Sequence, residues 1–323
     1  MTTATVVIPC YNEAGRLQTG PVREFVRARR NFKLLFVNDG STDNTLSLLN
    51  EMAESLPGQI SVLDLPHNCG KAEAVRRGVL AAIEDAPDYV GFLDADLATP
   101  LDELPRLIDV LDRRPGIEIV IGTRIGLLGR RIDRKRGRSL LGRLFALVAS
   151  RAIGLPIYDT QCGAKMFRVS ADTAALFAEP FHSRWIFDVE LFARLIMRFR
   201  AAASHAISRH PSCAVAPPPR PSPARACGEL SRAGEGERPD ANALAASVVY
   251  ELPLEQWQDV AGSKVRSRDF VRAVFELGVI YWRYFVRPAS ARQPEAAPES
   301  SPIAGPLRRP SFEHSSAQGR RAA

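Results

Sequence analysis

Short apolar runs alternate with polar exits and helix-like sequence along the N-terminal half of the chain. Three of these runs lie at residues 5–13, 33–45 and 89–100, where β-branched and apolar residues give way to Pro, Asn, Asp or Gly. Strand, polar loop and helix in repeated order predict a doubly wound, Rossmann-like α/β fold with a mostly parallel sheet and flanking helices. Ligands of such folds bind beyond the carboxyl ends of the strands, so we expect the three exits to form one site.

Four carboxylates lie at these strand exits. Glu13 follows the first run, Asp39 ends the second, and Asp94 and Asp96 follow the third in the sequence LDADLATP. Two carboxylates at positions i and i+2 after a half-buried strand form an oxygen-rich corner suited to Mg²⁺ or Mn²⁺ with a diphosphate. The same pair also occurs in solvated turns that cap the next helix. Four carboxylates on one predicted rim favour the metal site.

Residues 201–246 break the alternating pattern. Seven of the 24 prolines lie between Pro211 and Pro239, and no apolar periodicity remains. This composition predicts a low-complexity, disordered insertion, and the tail at 288–323 is similar. We therefore expect a catalytic domain made of residues 1–200 and 247–287.

The composition is that of a globular protein with a sizeable core, since 46% of the 323 residues are hydrophobic and 24% are charged. The five cysteines are odd in number and form no CxxC pair, which argues against a disulfide framework or a zinc site and favours a reducing compartment. The N-terminus lacks a signal-peptide pattern, and no segment reaches about 18 uncharged apolar residues. We expect a cytoplasmic protein without a membrane-spanning helix.

A basic segment at residues 124–143 contributes strongly to the net charge of +7 and contains one acidic residue, Asp133. Most charge runs are solvated loops. Nucleic acid is disfavoured as a partner because the segment has no aromatic residue for base stacking. An anionic lipid phosphate and a negatively charged membrane surface suit the segment better. Residues 140–153, which follow, fit either a packed helix or a lipid-facing one.

A second membrane signal lies at residues 270–287. At about 100° per residue, the charged side chains fall within an arc of about 60°, and the rest of the helix surface is apolar and aromatic. A core helix with one solvent-exposed polar face has this pattern, and so does a helix that lies on the surface of a bilayer. Tyr281, Trp282 and Tyr284 favour the bilayer, because aromatic residues of these types concentrate at the level of the lipid headgroups.

Seven segments resemble family 2 glycosyltransferases, in the expected order. They are VVIPCYNE, FVNDGSTDNT, HNCGKAEAVRRG, LDADLATP, DTQCGAK, RWIFDVE and WQDVAGSK. The last three are most similar to polyprenyl-phosphate (dolichyl-phosphate) beta-glucosyltransferases. The resemblance covers residues 4–200 and 247–287. It implies a GT-A fold and inverting transfer of a hexose from a nucleotide diphosphate, with UDP-glucose the expected donor, to a polyprenyl phosphate at the cytoplasmic membrane face.

The resemblance also implies roles for individual residues. The donor-nucleotide residues are Pro9, Tyr11, Glu13, Asp39, Lys71 and Asp94. Asp94 and Asp96 form the DXD motif that would hold Mg²⁺ or Mn²⁺. The residues near the reaction centre are Asp159, Gln161, Asp188 and Glu190. Arg124 and Arg131 are the expected clamps for the acceptor phosphate, because the arginine fork suits phosphate oxygens. As simpler alternatives, Asp39 and Asp188 each fit the role of a helix cap.

Three other functions remain open from the sequence. The closest is a GDP-mannose-dependent polyprenyl-phosphate mannosyltransferase, and another is a family 2 transferase that acts on a glycan hydroxyl. A catalytically inactive nucleotide-sugar or membrane-binding protein is the alternative of another class. The chain contains no GxGxxG, Walker or HExxH motif to support a dehydrogenase, an NTPase or a zinc hydrolase.

Overall fold

The computed structural model describes residues 2–133, 136–208, 240–260 and 267–287. The strands are β1 (Ala4–Cys10), β2 (Phe32–Asp39), β3 (Ile60–Leu65), β4 (Tyr89–Phe92), β5 (Ile119–Thr123), β6 (Arg131–Asp133), β7 (Lys165–Arg168), β8 (Val249–Pro253) and β9 (Gln256–Gln258). The helices are α1 (Thr19–Ala28), α2 (Thr45–Ser55), α3 (Lys71–Glu84), α4 (Leu104–Arg113), α5 (Arg136–Ile153), α6 (Ala171–Ala178), α7 (Phe187–Ser208), α8 (Ala241–Ser247) and α9 (Ser267–Tyr281), and a π-helical turn, Trp282–Val286, follows α9.

Seven strands form the central sheet in the order β3-β2-β1-β4-β7-β5-β8. Strand β7 runs antiparallel to both of its neighbours, and the other pairings are parallel. The mostly parallel, doubly wound sheet predicted from the sequence is therefore confirmed. Strands β6 and β9 form a separate two-stranded sheet. Parallel strands buried by helices on both faces are almost wholly apolar, as β1 and β2 are.

The antiparallel strand β7 brings its preceding loop over the carboxyl end of β4. The backbones of β4 and β7 lie so close that a Cβ atom on Gly91 would be 2.4 Å from the carbonyl oxygen of Lys165. At the strand exit, a Cβ atom on Gly163 would be 2.1 Å from Oδ2 of Asp94. Glycine at these two positions lets the loop at 159–163 rest directly on the DXD corner.

The predicted insertion at 201–246 is shorter than the sequence pattern indicates. Residues 201–208 continue α7, where Ala201, Ala202 and Ala203 are strong helix formers. At the other end, the Asp240 side chain accepts a hydrogen bond from the Asn242 N–H and caps α8. The remaining part, 209–239, and the predicted tail at 288–323 lie outside the described residues.

Two other boundaries differ from the sequence expectation. The basic segment at 124–143 contains β6 and the start of α5 rather than a continuous loop, because β6 pairs with β9. The strand-like sequence WQDVAGSK at 257–264 contributes only its first two residues to β9, and residues 261–266 lie outside the described part.

Helix α9 buries one face and exposes another apolar face. Ala273, Leu277 and Ile280 are buried, whereas Phe275 is 72% exposed and Trp282, in the π-helical turn that follows α9, is 55% exposed. Helix α5 contacts α9 and exposes Leu144, Leu147 and Val148. We call these exposed residues of α5 and α9, together with Val274, Val279, Tyr281 and Val286, the outer apolar face. None of the helices in the described part of the chain combines the length and apolarity that a bilayer crossing requires.

Substituting Gly91 with Ala should destabilise the fold by about 1–3 kcal/mol, because the new methyl group meets backbone that cannot move aside cheaply. Urea unfolding measures the loss. Gly116→Ala is the matched control, since a Cβ atom on Gly116 would have no neighbour within 4 Å. Equal stability of the two variants would contradict the close β4–β7 contact.

Candidate active site

The carboxyl ends of β1, β2 and β4 meet at one edge of the sheet and carry the four predicted carboxylates. Pro9 lies in β1, Tyr11 follows it with 37% of its surface exposed, and Glu13, Asp39, Asp94 and Asp96 lie at or just beyond the strand ends. The adjacent parallel registers of β1 with β2 and β4 hold these exits side by side. We call this edge the donor rim.

Glu13 is buried on the rim and pairs with Arg16. The Arg16 guanidinium donates to both carboxylate oxygens, with Nη2 2.7 Å from Oε1. This bond raises the pKa of Arg16, and the charges of Asp96 and Asp94 add to the effect. Arg16 therefore supplies a positive charge near the DXD corner. The i, i+3 spacing from Glu13 was the only sequence signal for it.

Asp39 holds the start of α3. Its carboxylate accepts hydrogen bonds from the N–H groups of Cys69, at 2.7 Å, and Gly70, at 2.9 Å. Burial raises the pKa of Asp39, while these two N–H groups and the charge of Arg184 act against the shift. The predicted alternative of a helix cap for α2 is wrong, because this carboxylate fixes the loop before α3 instead.

Asp94 and Asp96 form the acidic corner of the rim. Lys71, the first residue of α3, places its Nζ 2.5 Å from Oδ1 of Asp94. Asp96 accepts a hydrogen bond from the Ala98 N–H at 3.1 Å. Burial, followed by the nearby charge of Asp94, raises the pKa of Asp96. A carboxyl group whose pKa is raised beside a second carboxylate is part of a site that a divalent cation stabilises.

The donor set fits Mg²⁺ or Mn²⁺ that shares its coordination with a substrate. Within the described ranges, no three His, Cys, Asp or Glu side chains are arranged as a complete metal cage. Mg²⁺ is ordinarily held by one or two carboxylates, and substrate phosphates and waters supply the remaining ligands. The Asp94–Asp96 corner matches that mode of binding.

A buried ion pair between Lys165 of β7 and Asp188 of α7 lies near the acidic corner. The Lys165 ammonium is fully buried and lies 2.5 Å from Oδ1 of Asp188, and it also donates to the carbonyl oxygens of Thr160 and Cys162. Asp188 therefore lies in the first turn of α7 as an ion-pair partner, not as its N-cap. Gln161 lies between Thr160 and Cys162 in the sequence. Its side-chain amide nitrogen is buried and has no acceptor in the described part of the chain.

Arg124 and Asp159 bind each other. The guanidinium Nε and Nη2 atoms lie 2.7 Å and 2.6 Å from the two carboxylate oxygens, and the Arg124 N–H donates to Oδ2 as well. Both side chains are nearly buried, and the Asp159 N–H donates to Glu251. Arg124 was predicted as a phosphate clamp and Asp159 as a carboxylate of the reaction centre. The structure joins the two residues in one bidentate pair, and both roles stay predictions. The residues are 35 positions apart, so no local pattern signals the pair.

Arg131 lies away from that pair, on the exposed surface of β6. It lines an open cavity of about 710 Å³ that also contacts Leu97, Leu101 and Trp257. Because Leu97 directly follows Asp96, this cavity begins beside the acidic corner. Of the two predicted acceptor arginines, Arg131 is the one that faces open space.

Glu190, which the sequence places near the reaction centre, lies in a buried hydrogen-bond network. Its carboxylate is fully buried and accepts from the N–H groups of His182 and Ser183, from Arg194 and from the Tyr284 hydroxyl. Both carboxylate oxygens of Glu190 are thus engaged within the protein, and its predicted role near the reaction centre stays a prediction. It fixes the loop at 180–186 between α6 and α7 and ties it to the π-helical turn after α9.

Tyr284→Phe should lower the free energy of unfolding by about 1–2 kcal/mol at pH 7, because Glu190 loses a buried donor. Burial and the charge of Glu190 raise the pKa of Tyr284 from 10.0 to about 12. Between these values the unfolded state releases the tyrosine proton first, so this contribution is present below pH 10 and is lost as the pH rises towards 12. The difference in urea unfolding between wild type and variant should shrink over that window. A difference independent of pH would contradict the buried bond.

Comparison with curated proteins finds enzymes that act on lipid phosphates. The chain is 36% identical over 200 residues to a dolichyl-phosphate beta-glucosyltransferase of Trichomonas vaginalis, covering 58% of each protein. It is 31% identical over 216 residues to the dolichyl-phosphate beta-glucosyltransferase of Saccharomyces cerevisiae, covering 60% of this chain and 63% of that one. An undecaprenyl-phosphate 4-deoxy-4-formamido-L-arabinose transferase of Enterobacter is 32% identical over 172 residues, or 51% of this chain and 48% of that protein. The chain spans about three fifths of the length of the dolichyl-phosphate enzymes it matches.

Among solved structures, glucosyl-3-phosphoglycerate synthase of Mycobacterium tuberculosis has the same fold. Its complex with phosphoglyceric acid superposes with a TM-score of 0.55 at 17% identity, over 90% of this chain and 82% of that one. Its complex with Mn²⁺, UDP and glucosyl-3-phosphoglycerate gives 0.54 at the same identity and coverage. The GT-A fold implied by the sequence resemblance is confirmed. The model of glycosyl transferase family 2 matches residues 5–174, more than half of the chain, and the protein therefore belongs to the family 2 glycosyltransferases.

Proposed function

We propose that the protein transfers glucose from UDP-glucose to a polyprenyl phosphate with inversion at the sugar carbon, and that it works on the cytoplasmic face of a membrane. The observation that carries the proposal is the position of the Asp94–Asp96 corner, between the rim residues on β1 and β2 and the cavity that Arg131 lines. One side suits a nucleotide and the other an anionic acceptor. The names of the curated relatives support a lipid phosphate as that acceptor.

The donor nucleotide would lie along the rim. Pro9, Tyr11 and Asp39 border its nucleoside end, where the tyrosine ring can stack on the base. The diphosphate would reach the start of α3 and Lys71, because a helix N-terminus and a lysine both favour phosphate. Mg²⁺ or Mn²⁺ held by Asp94 and Asp96 would stabilise the negative charge that develops on the leaving diphosphate.

The other carboxylates are engaged in ion pairs and hydrogen bonds, which favours a phosphate acceptor over a sugar hydroxyl. Asp159 is paired with Arg124, Asp188 with Lys165, and Glu190 has four donors. A hydroxyl acceptor needs a general base, whereas a phosphate monoester is already ionised at neutral pH.

Catalysis of the phosphate reaction is then mainly a matter of position. The acceptor oxygen forms a bond to the sugar C1 from the face opposite the diphosphate. The C1–O bond to the diphosphate breaks, and its electron pair stays on the leaving oxygen. Arg131, on the cavity side of the acidic corner, would hold the acceptor phosphate in place.

The outer apolar face fits a bilayer surface. Helices α5 and α9, which contact each other, both expose aliphatic or aromatic side chains, and exposed Arg143 and Arg272 belong to the same helices. Contiguous apolar surface with basic residues nearby is the pattern of interfacial helices that bind anionic lipids. Docking there would place the protein where a polyprenyl phosphate is found.

Asp94→Asn or Asp96→Asn should lower transfer about 100-fold or more, because each removes half of the metal corner. Transfer is measured as radiolabelled sugar extracted into organic solvent, and chelation of divalent cations with EDTA should abolish it in the wild type. Asp109→Asn, on the exposed surface of α4, is the matched control and should retain full activity. Transfer that persists in EDTA or in either variant would refute the metal assignment.

Substituting both Phe275 and Trp282 with Ser should weaken binding to liposomes that contain anionic lipid, because these are the most exposed aromatic residues of the outer apolar face. Phe285, a residue of the same predicted interfacial helix, is half-buried against Tyr281 and is left unchanged. Flotation measures binding, and thermal unfolding and UDP affinity should not change. If the wild-type protein does not bind anionic liposomes, the outer apolar face is not a membrane-binding surface.

A further inference from the structure

Arg184 lies beside the donor rim, although neither the strand exits nor the acidic motifs indicate it. It belongs to the loop at 180–186 and its side chain is exposed. A Cβ atom on Gly70 would lie 3.0 Å from Nε and 3.1 Å from Nη2 of Arg184. The guanidinium therefore rests on the backbone at the residue that precedes α3.

The loop that carries Arg184 is anchored on both sides of it. The Ser183 N–H donates to Glu190 at 3.0 Å, and the Ser183 hydroxyl donates to Glu276 of α9 at 2.5 Å. The Ile186 N–H donates to the Ser183 hydroxyl at 2.8 Å. These bonds hold the backbone of Arg184 at the rim before any ligand arrives, so that little of its backbone freedom is lost on binding.

Positive charge accumulates around this position. Gly70 has φ = +92°, a conformation that residues with a side chain rarely adopt, and the positive end of the α3 dipole begins beside it. Lys71 follows and pairs with Asp94. Arg184 itself forms no ion pair with a carboxylate in the described parts of the chain. Asp39, an acid that its charge influences, already accepts two N–H groups.

A second feature, on the loop that packs on Asp94, is a buried polar group without a partner among the described residues. The buried amide nitrogen of Gln161 has no acceptor among the described residues. It lies two positions before Gly163, whose backbone packs on Asp94. A cation without a carboxylate and a buried donor without an acceptor, on loops that border the same acidic corner, both suit an oxyanion.

We propose that Arg184 binds the diphosphate of the donor nucleotide at the start of α3. The proposal rests on the proposed function for the identity of the donor, and it adds a residue of the α6–α7 loop to the nucleotide site. The planar arginine fork can donate two parallel hydrogen bonds to two phosphate oxygens, a fixed geometry that the lysine ammonium lacks. Gly70 leaves the space through which the guanidinium reaches the phosphates.

Calorimetric titration of the whole protein with UDP, UMP and uridine, in the presence of Mn²⁺, tests the proposal. Arg184→Ala should weaken UDP binding about 10-fold to 100-fold, the range expected for lost hydrogen bonds to a charged group. The loss should be smaller for UMP and absent for uridine. Arg184→Lys should restore part of the affinity, since it keeps the charge but not the fork.

Arg113→Ala is the matched control, because it removes the same charge from an exposed site on α4 and should leave all three affinities unchanged. Thermal unfolding of Arg184→Ala should match the wild type, because Glu190, Ser183 and Glu276 still hold the loop. Unchanged UDP affinity in Arg184→Ala, or an equal loss for uridine, would overturn the diphosphate contact.

The identity of the donor nucleotide is tested separately from the role of Arg184. If the wild type binds GDP and not UDP, the proposed sugar donor is wrong, and the same series with GDP, GMP and guanosine tests Arg184 by the same criteria. A wild-type protein that binds neither nucleotide would overturn both proposals.

Discussion

The buried ammonium group of Lys165 connects the three parts of the chain that build the acidic corner. It pairs with Asp188 at the start of α7, donates to two carbonyl groups of the loop at 159–163 and lies 5.3 Å from the centre of the Phe92 ring. A fully buried ammonium group is stable only when several hydrogen-bond acceptors surround it. The strand that ends at the DXD motif, the loop that covers Asp94 and the first turn of α7 are thereby held in one arrangement.

The pairing of the carboxylates bears on the chemistry proposed for the site. Asp159 and Asp188 of the predicted reaction centre pair with an arginine and a lysine, and Asp94 of the acidic corner pairs with Lys71. A reaction between an ionised acceptor and a nucleotide sugar makes little demand on a base and a large demand on charge neutralisation. The structure supplies that charge through Arg16, Lys71 and the start of α3.

Features that depend on local pattern were predictable from the sequence. The strand exits place Glu13, Asp39, Asp94 and Asp96 together, because parallel strands end at one edge. The pairing of Arg124 with Asp159 depends on tertiary contact between distant loops, and therefore left no periodic signal.

Burial was the other feature that the pattern did not reveal. Glu190 stands two residues after Asp188 in a charged motif, yet helix geometry turns it towards Arg194 and Tyr284. The end of α7 also extended past the predicted boundary, because an alanine run continues a helix without an apolar stripe.

The proposed arrangement, a metal site at Asp94 and Asp96 between the donor nucleotide and the cavity that Arg131 lines, is tested most directly by a donor and acceptor screen with the wild-type protein. Radiolabelled UDP-glucose and GDP-mannose are each incubated with a polyprenyl phosphate in detergent and Mn²⁺, and the label that enters organic solvent is counted. We expect label from UDP-glucose, dependent on the polyprenyl phosphate, in a product from which mild acid releases the sugar. Transfer from UDP-glucose only to a water-soluble acceptor, or no transfer from either donor, would contradict the account.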